Sequence, residues 1–346
     1  VRNRAKKYPN CNELKDNLCK IKFLHNSISN AVRLYYEGFP HKAYEAFLIG
    51  IGTVQSEIES LVSNSIELDS FNYTWDLFRV STRDECKKKD RKDIFHIPFE
   101  NRKHIHTYRY SIAGLPSLYL GNSLYTCFKE CGVVSLEKPV YLSHFKVKNK
   151  TRFFDIGITI QYLLKNAQTS EFCLDNKFEF RMLEDLVCWP LFLACSIFTN
   201  NRRDAFKPEY IIPQLLMQAI RENALGLNID GIRYFSVRNE LDYHSLRLTN
   251  NFAFPVKTFG LTGFCKELNE HFEWTKPISY EDILSKAKQA DESELKEIKD
   301  KYHLKLKENI FSYGEIEKEY GKTDFGLVER YLKKNLKQSD YDNLKF

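Results

Sequence analysis

Apolar residues recur first with a helical period. Leu14, Leu18, Ile21 and Leu24, then Ala31, Leu34 and Tyr35, fall on one side of a 3.6-residue spiral. After the break at Gly38-Phe39-Pro40 a second amphipathic run extends from Ala43 to Val62. Residues 12 to 65 therefore read as a helical hairpin, suited to pack on a main domain or on a second copy of the chain. From Trp75 the texture changes to short apolar stretches. Strands are expected at Leu77–Val80, Ile94–Pro98, Thr107–Ser111 and Ser117–Leu120, divided by Gly114 and Pro116. Residues 123 to 131 read as a helix with Ser123 as N-cap. Val140 to Val147 alternates as a strand, with Leu142, His144 and Lys146 on one face and Tyr141, Phe145 and Val147 on the other. Helices follow over 181–198 and 210–225, and a strand at Gly231–Ser236. Beyond about residue 275 the chain is rich in Lys and Glu, with helical stretches at 280–309 and 325–338. Their nearly cancelling charges predict an exposed, salt-bridged tail.

Short strands mixed irregularly with helices give an α+β class instead of a regular βαβ series. The expected organisation is a helical region over 1–70, a central domain over 71–275 and a charged helical region over 276–346. No internal repeat, G-x-G-x-x-G or P-loop lysine motif is present, which removes the support for a Rossmann dinucleotide site or an NTPase.

Composition changes this picture little. The 346 residues are 43% hydrophobic and 28% charged, as in ordinary globular proteins, and the net charge of +6 permits an anionic small ligand without requiring nucleic acid. Nine cysteines, an odd number in a chain this long, fit a reducing compartment with unpaired, mostly buried thiols. Cys127 and Cys131 lie four apart, but no second ligand pair at zinc spacing accompanies them, although His104 and His106 lie upstream; they read as one face of a helix, and no metal is expected. The basic start, Val1 to Lys7, runs into Tyr8-Pro9-Asn10 instead of an apolar core. The apolar stretch Leu186–Phe198 contains Pro190 and is too short for a bilayer. The reading is cytoplasmic, with no membrane partner. No stripe of Lys and Arg with interleaved aromatics calls for nucleic acid.

The chemistry-bearing residues concentrate in one block, Arg109-Tyr110-Ser111-Ile112-Ala113-Gly114-Leu115-Pro116-Ser117-Leu118-Tyr119-Leu120, with Glu130 eleven residues past Tyr119. An arginine ending one strand and a tyrosine on the next, hinged by Gly and Pro, can face a shared cleft. A guanidinium fork pairs with phosphate oxygens, and a tyrosine offers a flat face to an aromatic base. A carboxylate beside a ribose stabilises the positive charge that develops at an anomeric carbon. Each of these residues has a structural alternative: Arg79 as an ion-pair residue, Tyr119 as core, Glu130 as a solvated helix position, Ser236 as a strand end. His106 reads as a packed histidine rather than a proton carrier.

Taken in order, Leu77-Phe78-Arg79-Val80, Tyr108-Arg109-Tyr110-Ser111, Gly114-Leu115-Pro116-Ser117-Leu118-Tyr119-Leu120, Glu130 and Gly231-Ile232-Arg233-Tyr234-Phe235-Ser236 resemble the RES domain family, named for its Arg, Glu and Ser positions. The segment Glu209 to Leu216 fits the same pattern, and the likeness spans roughly residues 75 to 260. The resemblance implies an ADP-ribosyltransferase-like mixed β core, here with helical N- and C-terminal extensions, and NAD+ as substrate with no further cofactor. It implies cleavage of the nicotinamide–ribose bond by hydrolysis or phosphorolysis, as in a toxin or defence effector held in check by an antitoxin or regulatory protein. Arg79 and Arg109 would grip the diphosphate and ribose, Tyr110 and Tyr119 would meet the nucleotide, Glu130 would be the key acid and Ser236 would complete the pocket. Many family members carry Gly-Gly-Arg-Trp/Phe-Asn where this chain has Thr107-Tyr108-Arg109-Tyr110-Ser111, so the rim is bulkier here. A protein ADP-ribosyltransferase on the same fold and a non-catalytic nucleic-acid-binding module are the competing readings.

Overall fold

The computed structural model describes residues 11–64, 76–82, 90–133, 136, 138–148, 151–157, 182–199, 201, 204–236, 248–291 and 320–346. The expected boundary at 70/71, the lysine run 87–89 and the helix continuation over 292–309 lie outside these residues. The described chain is α+β. It forms two compact units, each drawn from three separated stretches: Val1–Ser63, Lys103–Leu115 and Arg152–Ile232 in unit 1, and Asn64–Arg102, Pro116–Thr151 and Arg233–Phe346 in unit 2.

Unit 1 is mainly helical. α1 (Cys11–Tyr36), α2 (Pro40–Gly52) and α3 (Gln55–Leu61) realise the amphipathic N-terminal pattern and bury Leu24, Ala31, Phe47, Ile51 and Ile58. Pro40 opens α2 at a position where its missing N–H costs nothing. Gly50 lets α2 approach α1, since a Cβ there would lie 2.6 Å from the Ser27 Cβ. The expected helix over 181–198 is two, α5 (Met182–Val187) and α6 (Trp189–Ser196). They divide at Cys188, because Pro190 supplies no N–H and favours a new helix start. α7 (Ile211–Arg221) covers a buried face of Ile212, Leu215, Leu216 and Ile220. Strands β1 (Val62–Asn64), β5 (Arg152–Ile156) and β6 (Gly231–Phe235) are ordered β1-β5-β6, and β6 passes from unit 1 into unit 2 after Ile232.

Unit 2 is built on a sheet ordered β7-β3-β2-β4-β8, with β9 also on β4. These strands are β2 (Asp76–Ser81), β3 (Ser117–Gly121), β4 (Tyr141–Val147), β7 (Asn250–Pro255), β8 (Phe272–Trp274) and β9 (Ile278–Ser279). The pairs β2–β3, β2–β4, β3–β7, β4–β8 and β4–β9 are antiparallel. One face, with Phe78, Val80 and Leu142, packs on helices α4 (Leu124–Cys131), α9 (Tyr280–Asp291) and α10 (Asp324–Asn335) through Leu124, Phe128, Ile283, Phe325, Val328 and Leu332. The short helix α8 is Lys266–Glu270. On the other face Phe95 stacks on Trp274 and Trp274 on Phe145, with centroids 4.7 and 5.2 Å apart.

Three expectations are corrected here. Ile94–Pro98 is no strand: Arg91–Ile94 is a 3-10 turn closed by reciprocal Asp90–Asp93 capping, which outweighs the β-propensity of Ile94 and Phe95. Thr107–Ser111 is a tight turn in which Tyr108 and Ser111 bridge each other, leaving Arg109 and Tyr110 at its tip. The C-terminal region is no exposed tail over α10, whose apolar spacing buries Phe325, Leu327, Val328 and Leu332 in unit 2.

Candidate functional site

Glu130 lies in the last turn of α4, and local sequence dictates where that helix starts and stops. Ser123 caps it by accepting from the Thr126 N–H at 3.1 Å, and Gly132 ends it in the left-handed conformation at φ 69°. The Ser123 and Thr126 hydroxyls both donate to the Leu248 carbonyl, and Asn122 and Asn250 exchange hydrogen bonds of 3.0 Å, so the start of α4 is tied to the start of β7. Gly121, at the end of β3, brings the helix close: a Cβ there would stand 2.7 Å from the Cys127 sulfur.

Two neutral donors from distant parts of the chain meet one oxygen of Glu130. Ser236 Oγ donates to Oε1 at 2.6 Å and Asn251 Nδ2 donates to the same atom at 2.8 Å. Ser236 follows β6, is fully buried, and is fixed by its N–H to the Thr249 carbonyl at 2.8 Å. Asn251 stands in β7 opposite Gly121, and Tyr119 stands opposite Ala253. Residues paired across strands share a face, so Tyr119 and Asn251 are diagonal neighbours on the α4 side, about 7–8 Å apart. Tyr119 is half-buried, as is Glu130. The structure thus brings Glu130, Ser236 and Asn251 into contact and places Tyr119 on the same face. Asn251 was not anticipated. Its signal is the polar run Thr249-Asn250-Asn251 opening an otherwise apolar strand.

Arg79 is placed elsewhere. It alternates in β2 with Phe78 and Val80, which face α4, so its side chain leaves the opposite face. There its Nη1 donates to the Phe95 carbonyl at 2.8 Å. The adjacent His96 is buried between the Cys265 N–H, which donates to Nε2 at 2.8 Å, and the Ile97 carbonyl, which accepts from Nδ1–H at 2.8 Å. Burial pushes this imidazole down to about 4, and the Arg79 charge adds to the effect. It is neutral at physiological pH and holds the 96–97 and 265 backbones together.

Arg109 belongs to unit 1. It donates to the Cys195 and Ile197 carbonyls at 2.9 and 2.8 Å and lies over the Tyr210 ring at 5.3 Å. Tyr110 is fully buried beside it, so its ring is part of the unit 1 core. His106 is exposed, not packed, because the turn carries it to the surface. Cys127 Sγ–H donates to the Phe78 carbonyl at 3.2 Å and Cys131 lies 3.7 Å from the Val80 carbonyl; burial pushes the Cys127 thiol well up. Among the described residues no group of three or more His, Cys, Asp or Glu side chains is arranged to share an ion, and no helix is long and apolar enough to cross a membrane.

A protein of Bacillus subtilis (strain 168) described as “Putative toxin YopC” is 30% identical over 319 residues, which is 91% of this chain and 69% of that protein. The chain belongs to the YopC family. Neither compact unit contains 319 residues, so the likeness to YopC runs through both. No family model and no solved structure matches the chain.

Proposed function

We propose that the protein is a toxin that cleaves the nicotinamide–ribose bond of NAD+, passing the ADP-ribosyl group to water or phosphate. The observation that carries this reading is the contact of Glu130 with Ser236, 106 residues apart in sequence, since these are the Glu and Ser of the RES pattern. In the proposed reaction the Glu130 carboxylate faces the ribose and stabilises the cation that builds at the anomeric carbon as nicotinamide leaves, while Tyr119 supplies a flat surface to the nicotinamide end. Ser236 and Asn251 donate to the carboxylate and are both neutral, so they orient it without cancelling its charge. The assignment of Arg79 and Arg109 to the diphosphate, and the kinship with ADP-ribosyltransferases, rest on the RES resemblance alone. The likeness to YopC supports the toxin part of the reading, and with it an antitoxin as partner.

The test is to incubate the purified full chain with NAD+, with and without phosphate, and to follow free nicotinamide together with the ADP-ribose product. Nicotinamide release is expected, with ADP-ribose or its phosphate ester identifying the acceptor. Release accompanied by labelled protein would replace hydrolysis with transfer to a side chain. Intact NAD+ after hours with folded protein would overturn the reading.

A further inference from the structure

We infer that Asn251 is a positioning residue for Glu130, holding its carboxylate in the orientation that the reaction uses; the inference rests on the function proposed above. A glutamate on the last turn of a short helix has three rotatable bonds, and an unfixed carboxylate loses much of its value as a preorganised charge. Three features of this chain remove that freedom. Gly121 carries no side chain, so α4 settles close to β3, and Asn251 stands directly across from Gly121 on β7. The Asn251 amide then donates to Oε1 at 2.8 Å from one side, while Ser236 donates to the same oxygen at 2.6 Å from another strand end. Asn251 is itself nearly buried, at 5% exposure, and is held in a strand whose residues are all buried. Two donors on one oxygen hold that oxygen from two directions, which a single hydrogen bond does not. The arrangement has a chemical requirement: the atom facing Oε1 from position 251 must be a donor.

That requirement separates positioning from packing. Asn251→Ala removes the donor, and kcat for nicotinamide release should fall about 10-fold or more with KM for NAD+ nearly unchanged, because the effect falls on the transition state. Asn251→Asp keeps shape and volume but places an acceptor against Glu130. Two carboxyls at hydrogen-bond distance cannot both ionise easily, and they hold one proton between them at lower pH. The shared proton restores a donor, so the activity of Asn251→Asp relative to the wild type should rise as pH falls from 8 to 5. A residue that merely fills space would show no such inversion. Wild-type kcat and an unaltered pH profile in both folded variants would overturn the proposal. If Asn251→Ala does not fold, the Asn251→Asp profile decides alone. A thermal-denaturation cycle needs no NAD+ and keeps the two readings distinguishable: Asn251→Ala should lower Tm in the wild type and by clearly less in a Glu130→Ala background. Equal Tm losses in both backgrounds would sink the positioning contact. Intact NAD+ in the wild-type assay would sink the function reading instead.

Discussion

Glu130 accepts from Ser236 and Asn251 through one carboxylate oxygen, and a glutamine can accept the same two hydrogen bonds there. Glu130→Gln should therefore fold as the wild type does while losing the charge. Turnover is expected to fall by about 100-fold or more, the scale of one lost preorganised electrostatic group, with NAD+ affinity changing little. Measured nicotinamide release and NAD+ binding give both numbers, and near-wild-type turnover in folded protein would remove Glu130 from the reaction. Arg79→Ala offers the contrast. Its guanidinium ties β2 to the Phe95 carbonyl on the far face, so the expected loss is in Tm, with less effect on KM. The residue types of the site were legible in the sequence, but their grouping was not. Glu130 and Ser236 stand out only through the RES resemblance, whereas Asn251 looks like an ordinary turn residue until β7 is set beside β3. Arg79 has the right chemistry, and only strand alternation decides which face receives it.

The element that governs Glu130 is α4, and α10 governs α4 in turn. Glu329 of α10 is half-buried and accepts at one oxygen from the Leu124 N–H, at the start of α4, and from the Tyr320 hydroxyl, at 2.6 and 2.5 Å. Burial pushes this carboxyl from the usual 4.5 up to about 8, against the two hydrogen bonds that favour the anion, with Asp76 adding a further push upward. A folded-state value above the unfolded one means that the folded protein binds the extra proton. The contribution to stability is then fully present below about pH 4.5 and is lost as pH rises through 8. Glu329→Gln keeps the accepting oxygen and cannot ionise, so its unfolding free energy from urea titrations should decline less than the wild type's between pH 6 and 9. Equal declines would show that Glu329 does not titrate there. The helices were legible because period and caps agree, as at Ser123. Strand β7 was not, because Phe252, Ala253 and Phe254 are all buried and leave no alternation to read. The turn at 91–94 was missed because reciprocal capping by two aspartates overrode the apolar run beside it.

For the molecule as a whole, sequence order is a poor guide to what packs together. The last described segment completes the core of unit 2: Tyr320, Phe325, Val328 and Leu332 pack with Phe78, Val80, Leu124 and Leu142. Each buried side chain of this size contributes about 1.5–3 kcal/mol, so a chain ending at residue 319 should lose cooperative unfolding of unit 2 and become readily proteolysed. Limited proteolysis and circular dichroism check this, and a protease-resistant unit 2 without α10 would contradict it. The charged composition beyond 275 hid this role. The apolar spacing of α10 is visible in the sequence, but its partners lie some 200 residues earlier, beyond the range of any local pattern.

The hydrogen bond between Leu124 and Glu329 spans 205 residues, and that distance is also an interval of time. At about 5–20 residues per second, a ribosome that has just made α4 needs roughly 10–40 s more to deliver the residue that clasps its first turn. Throughout that interval the start of α4 is without its Glu329 clasp, and the apolar face meant for α10 is open to water or to a chaperone. A nascent chain therefore carries Glu130 well before it carries the Glu329 clasp on that glutamate's helix, and any message cut short before residue 320 yields a protein with Glu130 present and α10 missing.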